Sequence, residues 1–212
     1  MATNAQTPSD ISLRDFIVAV GSADEPHGAM SAAAVAASLG SSLLLMVASS
    51  PQRRSDAMDH RAKLIEAATA LSGVQVQLME AIETETAVKL FAARNMPQAS
   101  DVERSERQAA IQFALRASAE VPLEVMRLCA RGLEIAVLVA THSGRAASAD
   151  ARLAVSLLLA GFDGARSNLE GKLSSFIDAA YVTSVVDEIA RLSREATAAT
   201  RASASWLEVP PA

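Results

Sequence analysis

The stretch from Gly28 to Gln52 constrains the fold of this chain more than any other part of the sequence. It contains no charged residue and consists mainly of Ala, Ser, Leu and Val. Three interpretations are open: a membrane span, a buried central helix, or a helix whose start holds a ligand. A helix that is apolar on every side is buried either in a bilayer or in a protein core.

The composition of this stretch favours the protein core over the membrane. Its length meets the requirement for a span, which is about 20 predominantly apolar residues. Serines dilute its apolar character, however, and no Trp or Tyr flanks either end, as membrane helices often have. Its small residues let neighbouring helices approach closely. We therefore expect the central helix of an all-helical domain, with no membrane partner.

The composition of the whole chain indicates an all-α fold. Of 212 residues, 50% are hydrophobic, but only 3% are aromatic and only 9 are glycine. Alanine is the best helix former, and the β-branched and aromatic runs typical of strands are scarce. We expect one domain over residues 1–212, a helical bundle with two buried apolar central helices and flexible tails at 1–10 and 205–212.

Charge and cysteine content narrow the class of function. A net charge of −5 disfavours nucleic-acid binding, which usually requires a basic domain or stripe. Cys129 is the only cysteine and cannot form an internal disulfide, so a reducing cytoplasm fits. The N-terminal residues show no basic segment followed by an apolar one, so no secretory signal is expected.

Capping signals divide the first half of the chain into helices. Ser12-Leu13-Arg14-Asp15 resembles a capping box that opens a short amphipathic helix. A long helix is expected from about Asp56 to Asn95, with a break near Ser72-Gly73. The spacing in Ser100-Asp101-Val102-Glu103 predicts the start of the next helix.

Proline and apolar runs organise the second half. Pro122 predicts a break or a kink, and His142 to Arg145 reads as a C-terminal turn. After the capping residues Ser148-Ala149-Asp150, the apolar run from Leu153 to Phe162 predicts a second buried helix. An amphipathic last helix is expected from about Leu173 to Ala204.

The common local motifs of catalysis and nucleotide binding are absent. The chain has no Gly-x-Gly-x-x-Gly, Gly-x-x-x-x-Gly-Lys, His-Glu-x-x-His or Gly-x-Ser-x-Gly pattern. Its three histidines are isolated, and with one cysteine they make a metal site unexpected. Local motifs alone therefore indicate only a helical domain with an unusual loop before its central helix.

Several dispersed stretches together resemble the formiminotetrahydrofolate cyclodeaminase and methenyltetrahydrofolate cyclohydrolase family. Family members carry Pro-Gly-Gly-Gly-Ser before an alanine-rich helix, and His27-Gly28-Ala29-Met30-Ser31 stands at that motif. The other matching stretches are Met46-Val47, Met96-Pro97, Ile111-Gln112, Ala114-Leu115, Ala117, Val121-Pro122-Leu123, Ala149-Asp150-Ala151 and Asn168. The resemblance extends from Ile11 to about Arg194 and implies an all-helical fold.

The chain departs from the family pattern at identifiable positions. Ala29 and Met30 stand where the family motif has two glycines. Those glycines would expose backbone N–H groups to a ligand. Ala87 replaces a phenylalanine after the retained acid Glu83, and Lys172 replaces an asparagine. The resemblance therefore implies a substrate pocket that differs from that of a standard member.

The resemblance implies chemistry on a tetrahydrofolate derivative, with no tightly bound cofactor. Cyclohydrolysis adds water to the cationic carbon of 5,10-methenyltetrahydrofolate, and cyclodeamination closes a formimino group and expels ammonia. Both need positioned proton donors and acceptors. Catalytic candidates are Glu83 and Asp150. Candidate substrate-binding residues are His27, Gly28, Ser31, Arg53, Arg54, Asn168 and Lys172.

Each of these residues also has a structural interpretation. Glu83 fits a solvated helix face that Glu80 and Glu85 share, and Asp150 fits a helix cap. Asn168 could brace two helices, since a buried amide needs partners. The alternative function is a family member without this activity that binds a pterin, a protein partner or another one-carbon carrier. A homodimer is expected by resemblance.

Overall fold

The computed structural model describes residues 11–22, 28–50, 58–94, 104–143 and 147–207, with side chains except at 83–94 and 104–110. These residues form six α-helices and no strand, which confirms the all-α prediction. The helices are α1 (Leu13–Val20), α2 (Ala29–Ser49), α3 (Met58–Arg94), α4 (Arg104–His142), α5 (Ser148–Glu170) and α6 (Ala179–Leu207). A 3-10 turn, Leu173–Ser175, lies between α5 and α6.

Helices α2 to α5 form an antiparallel four-helix bundle in which each helix packs against the next, and α5 packs back onto α2. Cross-helix contacts fix the register. Gln75 Nε2 on α3 donates to Ser42 Oγ on α2 at 2.7 Å. The rings of His60 and His142, near the start of α3 and at the end of α4, have centroids 4.6 Å apart. Helix α6 packs mainly on α4.

The antiparallel bundle has two ends, and the candidate residues divide between them. The proximal end holds Gly28, Asn168 and Lys172, and the distal end holds His60, His142 and Asp150.

The two apolar helices predicted from the sequence are α2 and α5, and they pack against each other at very short range. A Cβ atom at Gly161 would lie 2.7 Å from Ala37 Cβ, and one at Gly164 would lie 2.7 Å from Ala33 Cβ. A Cβ atom at Gly40 would lie 2.8 Å from a backbone carbonyl of α5. Glycine and alanine therefore permit a contact that larger side chains would prevent.

Helix α2 is long and apolar enough to cross a membrane, but the bundle explains its composition. Its most apolar window is 56% buried within the protein. Leu44 and Val47 are fully buried, whereas Leu39 and Met46 are partly exposed on the outer side. The apolar residues thus serve mainly the contacts with α3 and α5.

Helix α3 runs without interruption through Gly73, so the predicted break near Ser72-Gly73 is wrong. No atom lies within 4 Å of a Cβ built at Gly73, which therefore faces open space. Glycine inside a helix costs about 1 kcal/mol relative to alanine. Burial of Leu71, Val74 and Leu78 on the opposite face outweighs that cost.

Helix α4 is also continuous, and Pro122 lies inside it. The alternative of a break is therefore wrong. Proline lacks the N–H group that would bond to the carbonyl four residues earlier, which belongs to Ser118. Lys172 Nζ donates to that carbonyl oxygen at 2.7 Å. A side chain from another part of the chain thus satisfies the acceptor that proline leaves behind.

Local capping signals were accurate at the start of α1 and missed at the start of α6. The predicted cap Ser148-Ala149-Asp150 is wrong, because these residues are already helical and the N-cap of α5 is Ala147, with no side-chain cap bond. Ser12 Oγ accepts a hydrogen bond from the Asp15 backbone N–H at 3.2 Å, which confirms the cap of α1. The last helix begins at Ala179, after the predicted Leu173, because Asp178 Oδ1 accepts from the N–H groups of Ala180 and Tyr181. It continues to Leu207, so the first residues of the predicted C-terminal tail are helical. The predicted cap at 100–103 lies outside the described residues.

Candidate functional site

The proximal end brings the start of α2 together with the end of α5. Gly28 is the N-cap of α2, has an extended backbone, and provides no side-chain cap. Gly164 faces Ala33, so Asn168, one turn further along α5, lies at the level of the first residues of α2. A helix start presents unpaired N–H groups and a positive dipole end. This end of the bundle therefore favours a polar or anionic ligand group.

Asn168 has a buried amide oxygen, Oδ1, without a hydrogen-bond partner in the described part of the chain. Buried polar groups are usually paired, because an unpaired one costs about 1–3 kcal/mol. An acceptor without a described partner, close to a helix start whose N-cap is a glycine, indicates a place where a ligand could donate a hydrogen bond. It is the clearest sign of a binding function among the described residues.

The residues that replace the family glycines have ordinary helical environments. Ala29 and Met30 are the first residues of α2, and no described residue has a positive φ. The Met30 side chain is 1% exposed and packs in the core, and Ser31 is fully buried. Met30 therefore adds core packing at the start of α2 without straining the backbone.

Lys172 links the end of α5 to the middle of α4. Its ammonium group donates to the Ser118 carbonyl oxygen at 2.7 Å, and its backbone N–H donates to the Leu169 carbonyl oxygen at 3.0 Å. The Ser118 hydroxyl donates to the Leu115 carbonyl oxygen at 2.8 Å. Lys172 thus lies at the proximal end, as the sequence predicts for a substrate-binding residue, and its described contact is with the protein.

Glu83 lies on α3, in the part of that helix whose side chains are outside the description. The preceding turn, Gln77 to Ala81, forms one wall of a cleft of about 350 Å³ between α3 and α4. Its lining residues are Gln77, Glu80, Ala81, Glu120, Val121, Glu124 and Arg127. Asn168 is not among them, so the cleft and the amide of Asn168 are separate features.

Among the described residues, the one cation that lines this cleft is already paired. Arg127 Nε donates to Glu188 Oε1 at 2.9 Å and its NH1 group donates to Glu124 Oε2 at 3.1 Å. The hydrogen bond with Glu188 raises the pKa of Arg127, and the same bond holds the pKa of Glu188 below its ordinary value. The cleft thus has an acidic lining, with an arginine that joins α4 to α6.

Asp150 lies at the distal end, away from Gly28, Asn168 and Lys172. It is in the first turn of α5, where a carboxylate stabilises the positive end of the helix dipole. An α-helix rises about 1.5 Å per residue, so Asp150 and Asn168 are about 27 Å apart along α5. Asp150 and Asn168 therefore do not converge within one copy of the chain.

Other titratable groups do not form a second catalytic arrangement in the described ranges. Burial raises the pKa of the Cys129 thiol, which disfavours the reactive thiolate. No group of three or more His, Cys, Asp or Glu residues that could hold a metal ion occurs among these residues. His27, Arg53 and Arg54, which the sequence suggested for ligand binding, lie outside the described residues.

The sequence did not reveal the residues whose hydrogen bonds hold the connector between α5 and α6 against α4. Gln112 Nε2 donates to the Ser175 carbonyl oxygen at 3.2 Å, and its Oε1 accepts from the Ile177 N–H at 3.3 Å. Arg116 NH2 donates to Asp178 Oδ2 at 2.6 Å. The Ile111-Gln112 motif pointed to this position, but the sequence could not identify a partner about 63 residues away.

Comparison with known proteins agrees with this fold. A family model described as Formiminotransferase-cyclodeaminase matches residues 12–191. A methenyltetrahydrofolate cyclohydrolase of Methylorubrum extorquens is 27% identical over 188 residues, which are 88% of this chain and 90% of that protein. The crystal structure of formiminotetrahydrofolate cyclodeaminase from Thermotoga maritima has a TM-score of 0.83 at 18% identity, covering 94% of this chain and 97% of that one.

Proposed function

Because the chain belongs to the formiminotransferase-cyclodeaminase family, we propose that it is a 5,10-methenyltetrahydrofolate cyclohydrolase. The relative from Methylorubrum extorquens, whose name states this activity, supports the choice of hydrolysis over deamination. The structural observation that carries the proposal is the Asn168 oxygen, which has no hydrogen-bond partner among the described residues and lies near the start of α2, where the N-cap Gly28 makes no side-chain cap bond. A pterin ring carries N–H donors that suit such an acceptor.

The proposed reaction adds water to the cationic carbon between the two nitrogens of the substrate. A base accepts one proton from the water as its oxygen attacks the cationic carbon. The bond from this carbon to N5 then breaks, the proton of the new hydroxyl passes to N5 as the formyl C=O forms, and the proton on the base goes to solvent. We assign Glu83 as that base, since a carboxylate also stabilises a nearby cation. Asn168 orients the pterin, and Gly28 and Ser31 contribute the start of α2.

The primary experiment measures the loss of methenyl absorbance with purified protein and 5,10-methenyltetrahydrofolate. We expect a rate above that of buffer, and a reduction in kcat of about 10²-fold or more for Glu83→Gln, as for loss of a general base. Glu66→Gln is the matched control, because Glu66 is an exposed acid on the same helix. No rate above buffer would contradict the proposal, and so would an unchanged rate for Glu83→Gln.

A second set of measurements separates the alternatives. Release of ammonia from 5-formiminotetrahydrofolate, faster than loss of the methenyl compound, would assign the deaminase activity instead. Calorimetric binding of folates without turnover would assign a binding function. For the Asn168→Leu variant we expect a higher KM with a smaller change in kcat, because the lost interaction is with the substrate in its ground state.

We also propose a homodimer in the cytoplasm. Helix α2 has no charged residue and leaves Leu39 and Met46, which are 52% and 43% exposed, on its outer side. An uncharged face of this kind fits a second copy of itself. Light scattering should give twice the mass of one chain, and Leu39→Glu should give the single mass. A monomeric wild-type protein would contradict this part of the proposal.

A dimer would also provide the only route by which Asp150 could act together with Glu83. Within one copy Asp150 lies at the distal end and Glu83 in the proximal half of α3, whereas a second copy could bring its own distal end to this proximal half. Mixing refolded Glu83→Gln and Asp150→Asn chains should then restore activity that neither variant has alone. Full activity of Asp150→Asn by itself would limit Asp150 to the stabilisation of α5.

A further inference from the structure

Pro122 creates a specific deficit inside α4. A residue at this position normally donates its N–H to the carbonyl of the residue four positions earlier, and proline has no N–H to give. The affected carbonyl belongs to Ser118, and α4 continues on both sides of it. An acceptor left without a donor in a packed helix is costly, so it requires a partner from elsewhere.

Lys172 supplies that partner from the connector that follows α5. Its Nζ lies 2.7 Å from the Ser118 carbonyl oxygen, in a partly buried position. A charged donor makes a shorter and stronger hydrogen bond than a neutral one. The bond therefore replaces a missing helical hydrogen bond and at the same time joins the end of α5 to the middle of α4.

We propose that Lys172 is a positioning residue. By donating to the carbonyl that Pro122 leaves without a helical donor, it fixes the end of α5 and therefore the position of the Asn168 amide. Asn168 precedes Lys172 by about one helical turn, so motion at the connector moves the amide directly. Lysine at this position is a departure from the family asparagine, and its role here is to hold the binding residue in place. The inference rests on the proposed function only for its catalytic readout.

A double-mutant cycle between Lys172→Met and Pro122→Ala tests the proposal, because alanine restores the N–H that serves the Ser118 carbonyl. Hydrogen exchange is measured on peptides that cover residues 168–178. Lys172→Met alone should lower protection from exchange there by about fivefold or more. This factor corresponds to the lower end of the free-energy cost of an unpaired buried group. In the Pro122→Ala background the same change should lower protection less than about twofold.

The control is Lys63→Met, which removes an exposed lysine on α3 and should leave exchange in this segment unchanged. An equal loss of protection in both backgrounds would overturn the proposal, because Lys172 would then act independently of Pro122. If Lys172→Met does not fold but the double variant does, the proposal is supported. If neither folds, it is contradicted, since restoring the N–H should rescue the structure.

The catalytic readout separates positioning from general stabilisation. Lys172→Met should raise the KM for 5,10-methenyltetrahydrofolate severalfold while kcat changes less than about twofold, and Pro122→Ala should reverse much of the change. A fall in kcat at constant KM would contradict a positioning role. If the wild-type protein shows no turnover, the proposed function fails, while the exchange cycle still decides the role of Lys172.

Discussion

The close contact between α2 and α5 makes Gly161→Ala the most informative stability variant. The added Cβ atom would lie 2.7 Å from Ala37 Cβ and 2.8 Å from the Ala33 carbonyl oxygen. Separations this short force the two helices apart, and overpacking of this kind costs about 1–3 kcal/mol. The better helix propensity of alanine returns about 0.5–1 kcal/mol. The midpoints of these two ranges give a net loss of about 1 kcal/mol.

Gly73→Ala is the matched control, because it makes the same chemical change inside another helix of the same protein. A Cβ at Gly73 meets no atom within 4 Å, so only the propensity term remains. We expect this variant to be more stable than the wild type by about 0.5–1 kcal/mol. The same substitution should thus have opposite effects at the two positions.

Thermal unfolding and urea titration measure both variants. For a chain of this length about 1 kcal/mol changes Tm by about 2–4 °C, so the two Tm values should differ clearly. The urea m-value should stay constant if only the native contact changes. A Gly161→Ala protein as stable as the wild type would refute the short α2–α5 distance. Equal destabilisation by Gly73→Ala would refute the assignment of the Gly161 effect to packing.

Three further expectations concern single groups. Burial, then the charges of Lys63 and His60, lower the pKa of His142. The unfolded chain therefore binds protons more readily than the folded one, and the free energy of unfolding should fall as the pH drops below about 6.5. Unfolding measured at several pH values should show a smaller fall for His142→Phe. Burial raises the pKa of Cys129, so a thiol reagent should modify it only after unfolding, whereas fast labelling of the folded protein would show an open core. Ser12→Ala removes the cap of α1 and should cost about 1 kcal/mol of local stability, seen as faster amide exchange in α1 alone.

The sequence was sufficient for the parts of the fold that depend on local composition. The uncharged alanine-rich stretch predicted α2, and the apolar run from Leu153 to Phe162 predicted α5, because a helix apolar on all sides must be buried. The cap at Ser12 was correct because its hydrogen bond joins residues three positions apart. In each case the cause and its effect lie within a few residues of one another.

The errors arose where the deciding contact is distant in sequence. At Pro122 the sequence predicted a break or a kink, and the break did not occur because Lys172 supplies the missing donor from 54 positions away. The predicted break at Gly73 ignored the burial of the opposite face of α3 against other helices. A proline or glycine in the sequence indicates only a local cost to helix stability. Tertiary contacts decide whether the helix forms despite that cost.

The sequence supplied candidate site residues but not their arrangement. Asn168 and Lys172 were chosen by resemblance, and both lie at the proximal end beside Gly28. Asp150 was chosen in the same way, yet the antiparallel register puts it about 27 Å from Asn168. Spacing along a sequence gives no distance between helices until the register is known.

At the proximal end, the Ser118 carbonyl and the Asn168 amide differ in whether they have a hydrogen-bond partner. The first lacks a helical donor and receives one from Lys172, whereas the second is buried without a protein partner in the described ranges. Leaving a buried acceptor unpaired costs about 1–3 kcal/mol, so replacing it by an apolar side chain should stabilise the free protein. Lys172→Met should therefore lower stability and Asn168→Leu should raise it, while both raise KM. Stability and affinity that move in opposite directions at Asn168 would identify it as the residue that contacts the ligand.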